Sequence, residues 1–227
     1  MKPENIKRLN FEYLLGALLI LILSMALAQE VGVRGETRRL FLEPALCIML
    51  LMGVWSLVSQ KKWLIIGGII AVVGVATAFL NFFWDMPELR LFNLGILFVF
   101  CLASTCVAFQ NLLFSSSVDV NKIIGAICIY LLLGINWSFV YLFINMAIPG
   151  SFNGLTSTDI GNDLPELVYY SFITLTTVGY GDLIPVKPLA RTVAFLEGFV
   201  GQFYVAVLVA WLVGMFLSSK GQNHKQP

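Results

Sequence analysis

The sequence predicts an all-α membrane protein: six transmembrane helices plus one re-entrant helix with a loop after it. Three observations predict this. Of 227 residues, 59% are hydrophobic and 12% charged, with a mean hydropathy of +0.87; a soluble domain carries about 25% charged residues. Six apolar runs approach the roughly 20 residues that cross a bilayer. One break between runs is long, and it contains a helix-like segment too short to cross, followed by a glycine-bearing heptapeptide.

The runs are 11–28, 40–58, 63–83, 91–114, 123–148 and 189–217. The first has the look of a secretory signal, with Lys2, Lys7 and Arg8 ahead of it and Ala26-Leu27-Ala28 before Gln29. It exceeds the ~7–15-residue core of such a signal and is read as a spanning helix. The breaks at 29–39, 59–62, 84–90 and 115–122 are short and polar or turn-forming, and no repeat or low-complexity stretch interrupts the pattern. Three units follow: a four-helix peripheral domain over 1–118, a pore domain over 119–218 and a short tail over 219–227.

Cys47, Cys101, Cys106 and Cys128 all fall within apolar runs without metal-ligand spacing, so they read as small buried residues. A net charge of +1 with no basic patch gives no footing for nucleic acid. No soluble partner is evident, and the lipid bilayer is the expected surrounding. Six spans put both termini on one side. Eight of the 14 Lys and Arg residues (Lys2, Lys7, Arg8, Lys61, Lys62, Lys122, Lys220, Lys225) then share that side. The other six are Arg34, Arg38, Arg39, Arg90, Lys187 and Arg191. This bias places both termini in the cytoplasm and the chain in the inner or plasma membrane.

The long break, 149–188, is the informative one. Residues 149–163 are rich in Gly, Ser, Thr, Asn and Asp and read as an exposed loop. Asp163-Leu164-Pro165-Glu166 then reads as a helix start, with Asp as cap, Pro in the first turn and Glu at the positive helix end. Residues 167–176 are amphipathic and, at ~1.5 Å per residue, reach only about half way across a membrane. A re-entrant helix results, and the irregular backbone after it must line protein or water.

That backbone is Thr176-Thr177-Val178-Gly179-Tyr180-Gly181-Asp182. A dehydrated potassium ion needs oxygen ligands in place of its water shell, and rings of backbone carbonyls supply them. Carbonyls that all face one way need alternating right- and left-handed residues. Gly179 and Gly181 take the left-handed conformation without steric cost. Val178 and Tyr180 are expected to point into surrounding protein, and Thr177 to add its hydroxyl at the inner end. The carboxyl end of the short helix favours a cation at the membrane centre. One chain provides one wall, so a closed ring predicts a homotetramer.

On these residues the sequence resembles the potassium-channel P-loop superfamily. Thr177-Val178-Gly179-Tyr180-Gly181 matches its selectivity signature without substitution, Asp182 matches the acidic residue that follows, and the likeness covers roughly 123–217. The six-span layout looks like the voltage-gated and related bacterial subfamily. The resemblance implies tetramers, K+ as the permeant ion, metal sites for it at the carbonyls of Thr177, Val178, Gly179 and Tyr180, and a gate in the last helix. Gly201 matches the family's hinge glycine; the other reading is that Gly198 and Gly201 permit close packing. Val205, Val209, Val213 and Leu217 form an apolar stripe that either faces the axis or faces lipid or the fifth helix.

The sequence also departs from the family. The fourth run holds no Arg or Lys, and Arg90 stands alone at its outer end. Since one charge carries only about 2.3 kcal/mol per 100 mV, weak or absent voltage dependence is expected, with the first four helices as a packing or regulatory shell. The tail after Leu217 is too short for a ligand-binding domain, and its His224 reads as solvated. Glu197 sits within the last span and must find a partner. It either controls the filter in response to pH or ions, or braces it through Ser171, Thr174 or Tyr170; bracing is the favoured reading. Thr176, Asp182, Tyr169 and Tyr170 are the other expected supports, with Asp182 held by Tyr169 or Tyr170. Asp159, Asp163, Glu166 and Asp182 are expected at the outer mouth, Asp163 and Glu166 chiefly as helix caps. A non-selective cation channel, a non-conducting accessory subunit, an enzyme and a coupled transporter fit less well: Tyr180 is intact, no catalytic constellation is present, and only one re-entrant element occurs.

Overall fold

The computed structural model describes residues 3–30, 61–84, 87–113, 120–156 and 163–223. The expected helix over 40–58 lies outside them, as do Asp159 and His224. The helices are α1 (Pro3–Glu30), α2 (Lys61–Trp84), α3 (Pro87–Leu113), α4 (Val120–Ala147), α5 (Leu164–Leu175) and α6 (Pro188–Asn223), with two-residue strands β1 (Phe152–Asn153) and β2 (Ile184–Pro185). Among the described residues, three stretches are long and apolar enough to cross a membrane: Leu91–Gln110, Asn121–Ala147 and Pro188–Trp211. The apolar parts of α1 and α2, Phe11–Leu27 and Gly67–Thr77, are shorter.

α4 is the central element, packing against α1, α3, α5 and α6. The α1 face formed by Leu14, Leu18, Leu21 and Met25 joins one buried cluster with Cys128, Leu132, Ile135, Phe139 and Leu142 of α4. These positions recur every three or four residues, which puts them on one side of each helix. Since lipid is as apolar as these side chains, close packing and interhelical hydrogen bonds hold such helices together. Among the described residues such bonds occur between α1, α2, α3 and α4, with Cys128 Sγ of α4 lying 3.5 Å from Phe11 O of α1. Thr77 Oγ1 of α2 lies 3.2 Å from Asn93 Oδ1 of α3, and Asn136 Nδ2 of α4 donates to Thr105 Oγ1 of α3 at 2.9 Å.

Of the stretch between α4 and α5, residues 149–156 are described and most are exposed, as their composition suggests, with two exceptions. Ser151 and Phe152 are buried, and β1 pairs antiparallel with β2 through Phe152↔Pro185 and Asn153↔Ile184. The loop before α5 is thus tied to the chain after the heptapeptide. α5 has 12 residues, roughly 18 Å at 1.5 Å per residue, against a hydrocarbon core of about 30 Å. Pro165 and Glu166 occupy its first turn and Asp163 the cap position, but the Asp163 side chain makes no cap hydrogen bond. Its Oδ2 accepts from Asn145 Nδ2 at 3.0 Å instead, which anchors the start of α5 on α4. Glu166 likewise turns to the loop, accepting from the Thr156 backbone N–H at 2.9 Å and from the Thr156 hydroxyl. The first turn of α5 is thus held from outside, Asp163 by α4 and Glu166 by the loop.

Candidate functional site

The site is built where α5 stops. Its last carbonyls are taken by the chain that follows: Thr176 N–H donates to Phe172 O at 3.0 Å, Thr177 N–H to Thr174 O at 3.0 Å and Gly179 N–H to Ile173 O at 3.1 Å. Tyr130 of α4 donates its hydroxyl to Leu175 O at 3.2 Å. The heptapeptide therefore leaves the helix under restraint from both its own backbone and α4.

Its backbone alternates in hand. Thr177 has φ 59°, Gly179 φ 51° and Gly181 φ 80°, while Val178 and Tyr180 between them stay out of the positive region. Alternation with period two is what turns successive carbonyls to one side. The two glycines were legible from sequence; Thr177 was not. It is the one non-glycine with positive φ among the described residues. A left-handed conformation costs an L-residue about 1–2 kcal/mol, more for a β-branched one. The readable signal was the spacing itself, since 177 lies two before 179. A Cβ added at Gly179 or Gly181 would meet nothing within 4 Å, so conformation and not crowding demands glycine there. Gly154 is different: at φ 100° its missing side chain admits the Asp182 carbonyl, with Leu183 Cα 3.2 Å from where a Cβ would stand. Sequence reasoning passed over it.

At the outer end Tyr169 donates its hydroxyl to Asp182 Oδ2 at 2.7 Å, and Leu183 N–H donates to Oδ1 at 3.0 Å. The Tyr169 hydrogen bond holds the Asp182 carboxyl below its ordinary value of 3.8, and the same bond pushes the Tyr169 hydroxyl up. Tyr170 is not part of this contact. It is buried in an aromatic cluster with Tyr141 and Phe152, at centroid distances of 5.0 and 5.3 Å.

At the inner end Thr176 spends its hydroxyl on its own helix, donating to Phe172 O at 2.6 Å. Gln202 Nε2 of α6 lies 3.3 Å from Thr177 Oγ1. Gly201 packs against the end of α5: a Cβ there would run into the Leu175 carbonyl, with Leu175 C and Cδ1 at 3.0 Å. Gly198 is less pressed, its nearest neighbour being Thr174 O at 3.8 Å. Gly134 of α4 makes a similar close approach, since a Cβ would stand 2.7 Å from Phe172 Cε1.

Behind α5, Glu197 is fully buried. Tyr141 of α4 donates to its Oε2, and Ser171 Oγ of α5 contacts its Oε1. The carboxyl thus joins three helices. Ser171 was among the expected partners; Tyr141, on another span, was not.

Tyr204, Leu208 and Trp211 turn toward Ala108, Leu112, Ala126 and Ile129. Val205 and Val209 lie on an exposed side of α6, so these two valines of the stripe do not pack on α4. The Val213 side chain lies outside the described residues. Val178, Tyr180, Phe195, Phe199 and Phe203 are exposed large side chains on the single chain.

Residues 123–218 match the family model described as "Ion channel". A 73-residue stretch is 34% identical to the inward rectifier potassium channel Kirbac3.1 of Paramagnetospirillum magnetotacticum, covering 32% of this chain and 21% of that one. A 71-residue stretch is 30% identical to the two pore potassium channel c of Oryza sativa subsp. japonica, covering 31% of this chain and 15% of that one. The matches thus span about a fifth or less of these relatives' lengths. No solved structure matches. Over residues 123–218 the chain is thus similar to ion channels, short stretches of it resemble potassium channels, and among the described residues three helices are long and apolar enough to cross a membrane. These likenesses point to a channel and not to an enzyme.

Proposed function

We propose that this chain is one subunit of a potassium-selective channel in which four copies surround an axis and K+ passes down its gradient. The carbonyls of Thr177, Val178, Gly179 and Tyr180 line the path, with Gly181 ending it and Asp182 and Tyr169 steadying its outer end. The observation that carries the reading is the alternation of backbone hand at Thr177, Gly179 and Gly181 within a Thr-Val-Gly-Tyr-Gly segment. Hard oxygen donors without fixed charge suit a monovalent cation that must bind and leave. Exposed Tyr180, Val178 and the α6 phenylalanines supply the apolar faces that neighbouring copies would cover.

The proposed layout has six spans with both termini cytoplasmic, the first four as a peripheral shell. The gate is assigned to α6, at Gly201 and the stripe of Val205, Val209 and Val213, or to the filter itself. Voltage is not the stimulus, because the fourth run carries no Lys or Arg.

Reconstitution of the full chain in liposomes tests the reading. Potassium flux well above sodium flux, lost in Gly179→Ala, is expected. Equal fluxes would instead mark a non-selective cation channel, and the absence of any flux a non-conducting role.

A further inference from the structure

The inner end of the heptapeptide carries a contact that the carbonyl ladder does not explain. Gln202 Nε2 approaches Thr177 Oγ1 to 3.3 Å. Thr177 is also the residue held at φ 59°, a conformation that β-branched residues avoid. Strain of this kind persists only where the surroundings over-determine it. Two neighbours do so here. Thr177 N–H is held by Thr174 O at 3.0 Å, and its side chain is met by Gln202.

Gln202 is placed for this by the residue before it. Gly201 lets the α6 backbone press on the Leu175 carbonyl, so a side chain one position on starts within reach of residue 177. Gln202 lies on the exposed side of α6 with Val205 and Val209, at spacings of three and seven that share a face. It is also the one amide side chain between Ala194 and Leu217. A primary amide turned toward hydrocarbon would lose its hydrogen bonds; turned toward the filter mouth it keeps them.

The chemistry of the pair is asymmetric. The Gln202 N–H can only donate, so it takes one lone pair of the Thr177 hydroxyl and fixes its rotamer. One lone pair is left for a cation, at a set direction. We infer that Gln202 is a positioning residue for the innermost ion site, each subunit clamping its Thr177 hydroxyl so that four oxygens form a preorganised ring. This rests on the reading of residues 177–181 as a potassium filter.

The test uses the full-length channel in planar bilayers with barium added on the α6 carboxyl-terminal side. Barium is close to potassium in radius but doubly charged, so it lodges in oxygen cages built for potassium and blocks. Gln202→Leu should raise the half-blocking barium concentration by about threefold or more, since one lost hydrogen bond corresponds to about threefold to tenfold and each of the four subunits loses one. Gln202→Asn keeps the amide but falls one methylene short, and should behave like the leucine variant. In Thr177→Ser, which keeps the hydroxyl, the Gln202→Leu shift should persist; in Thr177→Ala it should vanish. An unchanged half-block in Gln202→Leu would overturn the inference, as would an equal shift with and without the hydroxyl at 177. Should Thr177→Ala be silent, Gln202→Asn decides: wild-type block there would mean that the amide acts without reaching Thr177. Failure of the underlying reading is separate, since wild-type channels would then not favour potassium over sodium.

Discussion

Tyr141 donates its hydroxyl proton to Glu197 across the contact between α4 and α6. Ser171 of α5 completes the arrangement, with its Oγ between Glu197 Oε1 and the Gly134 carbonyl, 2.7 Å from the latter. A hydroxyl has one proton and a carbonyl can only accept. If Ser171 donates to Gly134, its contact with Glu197 needs a proton from the carboxyl. Three contacts are thus satisfied together by a neutral Glu197. Gln at this position reproduces the pattern, its oxygen accepting from Tyr141 and its nitrogen donating to Ser171. Glu197→Gln should therefore retain wild-type potassium flux. Glu197→Ala should destabilise the channel by about 1–3 kcal/mol for each buried hydroxyl left unsatisfied. Single-channel open probability measured from about pH 5 to 9, which brackets the ordinary histidine value and lies above that of a free carboxyl, should be the same for Glu197→Gln and wild type. A pH step lost in the glutamine variant would assign Glu197 a sensing role instead.

Gly201 and Gly198 separate packing from bending. Both lie in the part of α6 nearest the filter, and a hinge would tolerate alanine at either with reduced flexibility. The structure distinguishes them sterically: a methyl at 201 collides with the Leu175 carbonyl, whereas one at 198 stands 3.8 Å from Thr174 O, an ordinary contact. Gly201→Ala should cost about 1–3 kcal/mol of overpacking strain and distort the filter end, while Gly198→Ala should leave stability near wild type. Thermal unfolding of the solubilised variants measures this. Equal, small effects at both positions would favour the hinge reading for Gly201.

Much of this was legible in the sequence, for a physical reason. Gly179 and Gly181 announce their backbone conformation because only glycine takes it without cost, and a 12-residue apolar helix between two long ones announces a re-entrant element. Contacts between distant segments were harder to read. Tyr141 lies 56 residues from Glu197, and nothing in an apolar helix singles out one tyrosine as its donor. Gly134 and Gly154 looked like ordinary glycines because the atoms they admit, Phe172 and Asp182, come from other elements. Asp163 and Glu166 were placed correctly, at the cap position and in the first turn, but their side-chain partners, Asn145 and Thr156, come from outside the helix and were not readable.

The Tyr169–Asp182 hydrogen bond predicts an acid limit for the outer end. The bond holds the Asp182 carboxyl below its ordinary value of 3.8. A depressed folded value stabilises the folded form above the ordinary value, and that contribution disappears as pH falls through the depressed one. Wild-type flux should accordingly survive acidification to the ordinary value of 3.8 and fail only below it. Tyr169→Phe removes the donor, so its carboxyl should titrate nearer the ordinary value and flux should fail at a higher pH. Coincident acid profiles for the two proteins would mean that this bond does not steady the outer mouth.

A voltage sensor must move several charges through the membrane field, since one elementary charge gains only about 2.3 kcal/mol per 100 mV. α3 runs from Pro87 to Leu113, and its only basic residue, Arg90, stands in the first turn. What the helix carries inside the span is polar but neutral: Asn93 meets Thr77, and Thr105 meets Asn136. Such hydrogen bonds fix α3 against α2 and α4 and offer the field no net charge to pull. Voltage steps across a bilayer containing the channel should therefore give a nearly linear conductance, with open probability shifting less than a single charge per subunit allows. Substituting Leu97 and Phe100, both buried in the α3 contact, should alter stability without creating a voltage response. A steep sigmoidal curve in the wild type would refute this and relocate the sensor to charges elsewhere in the chain.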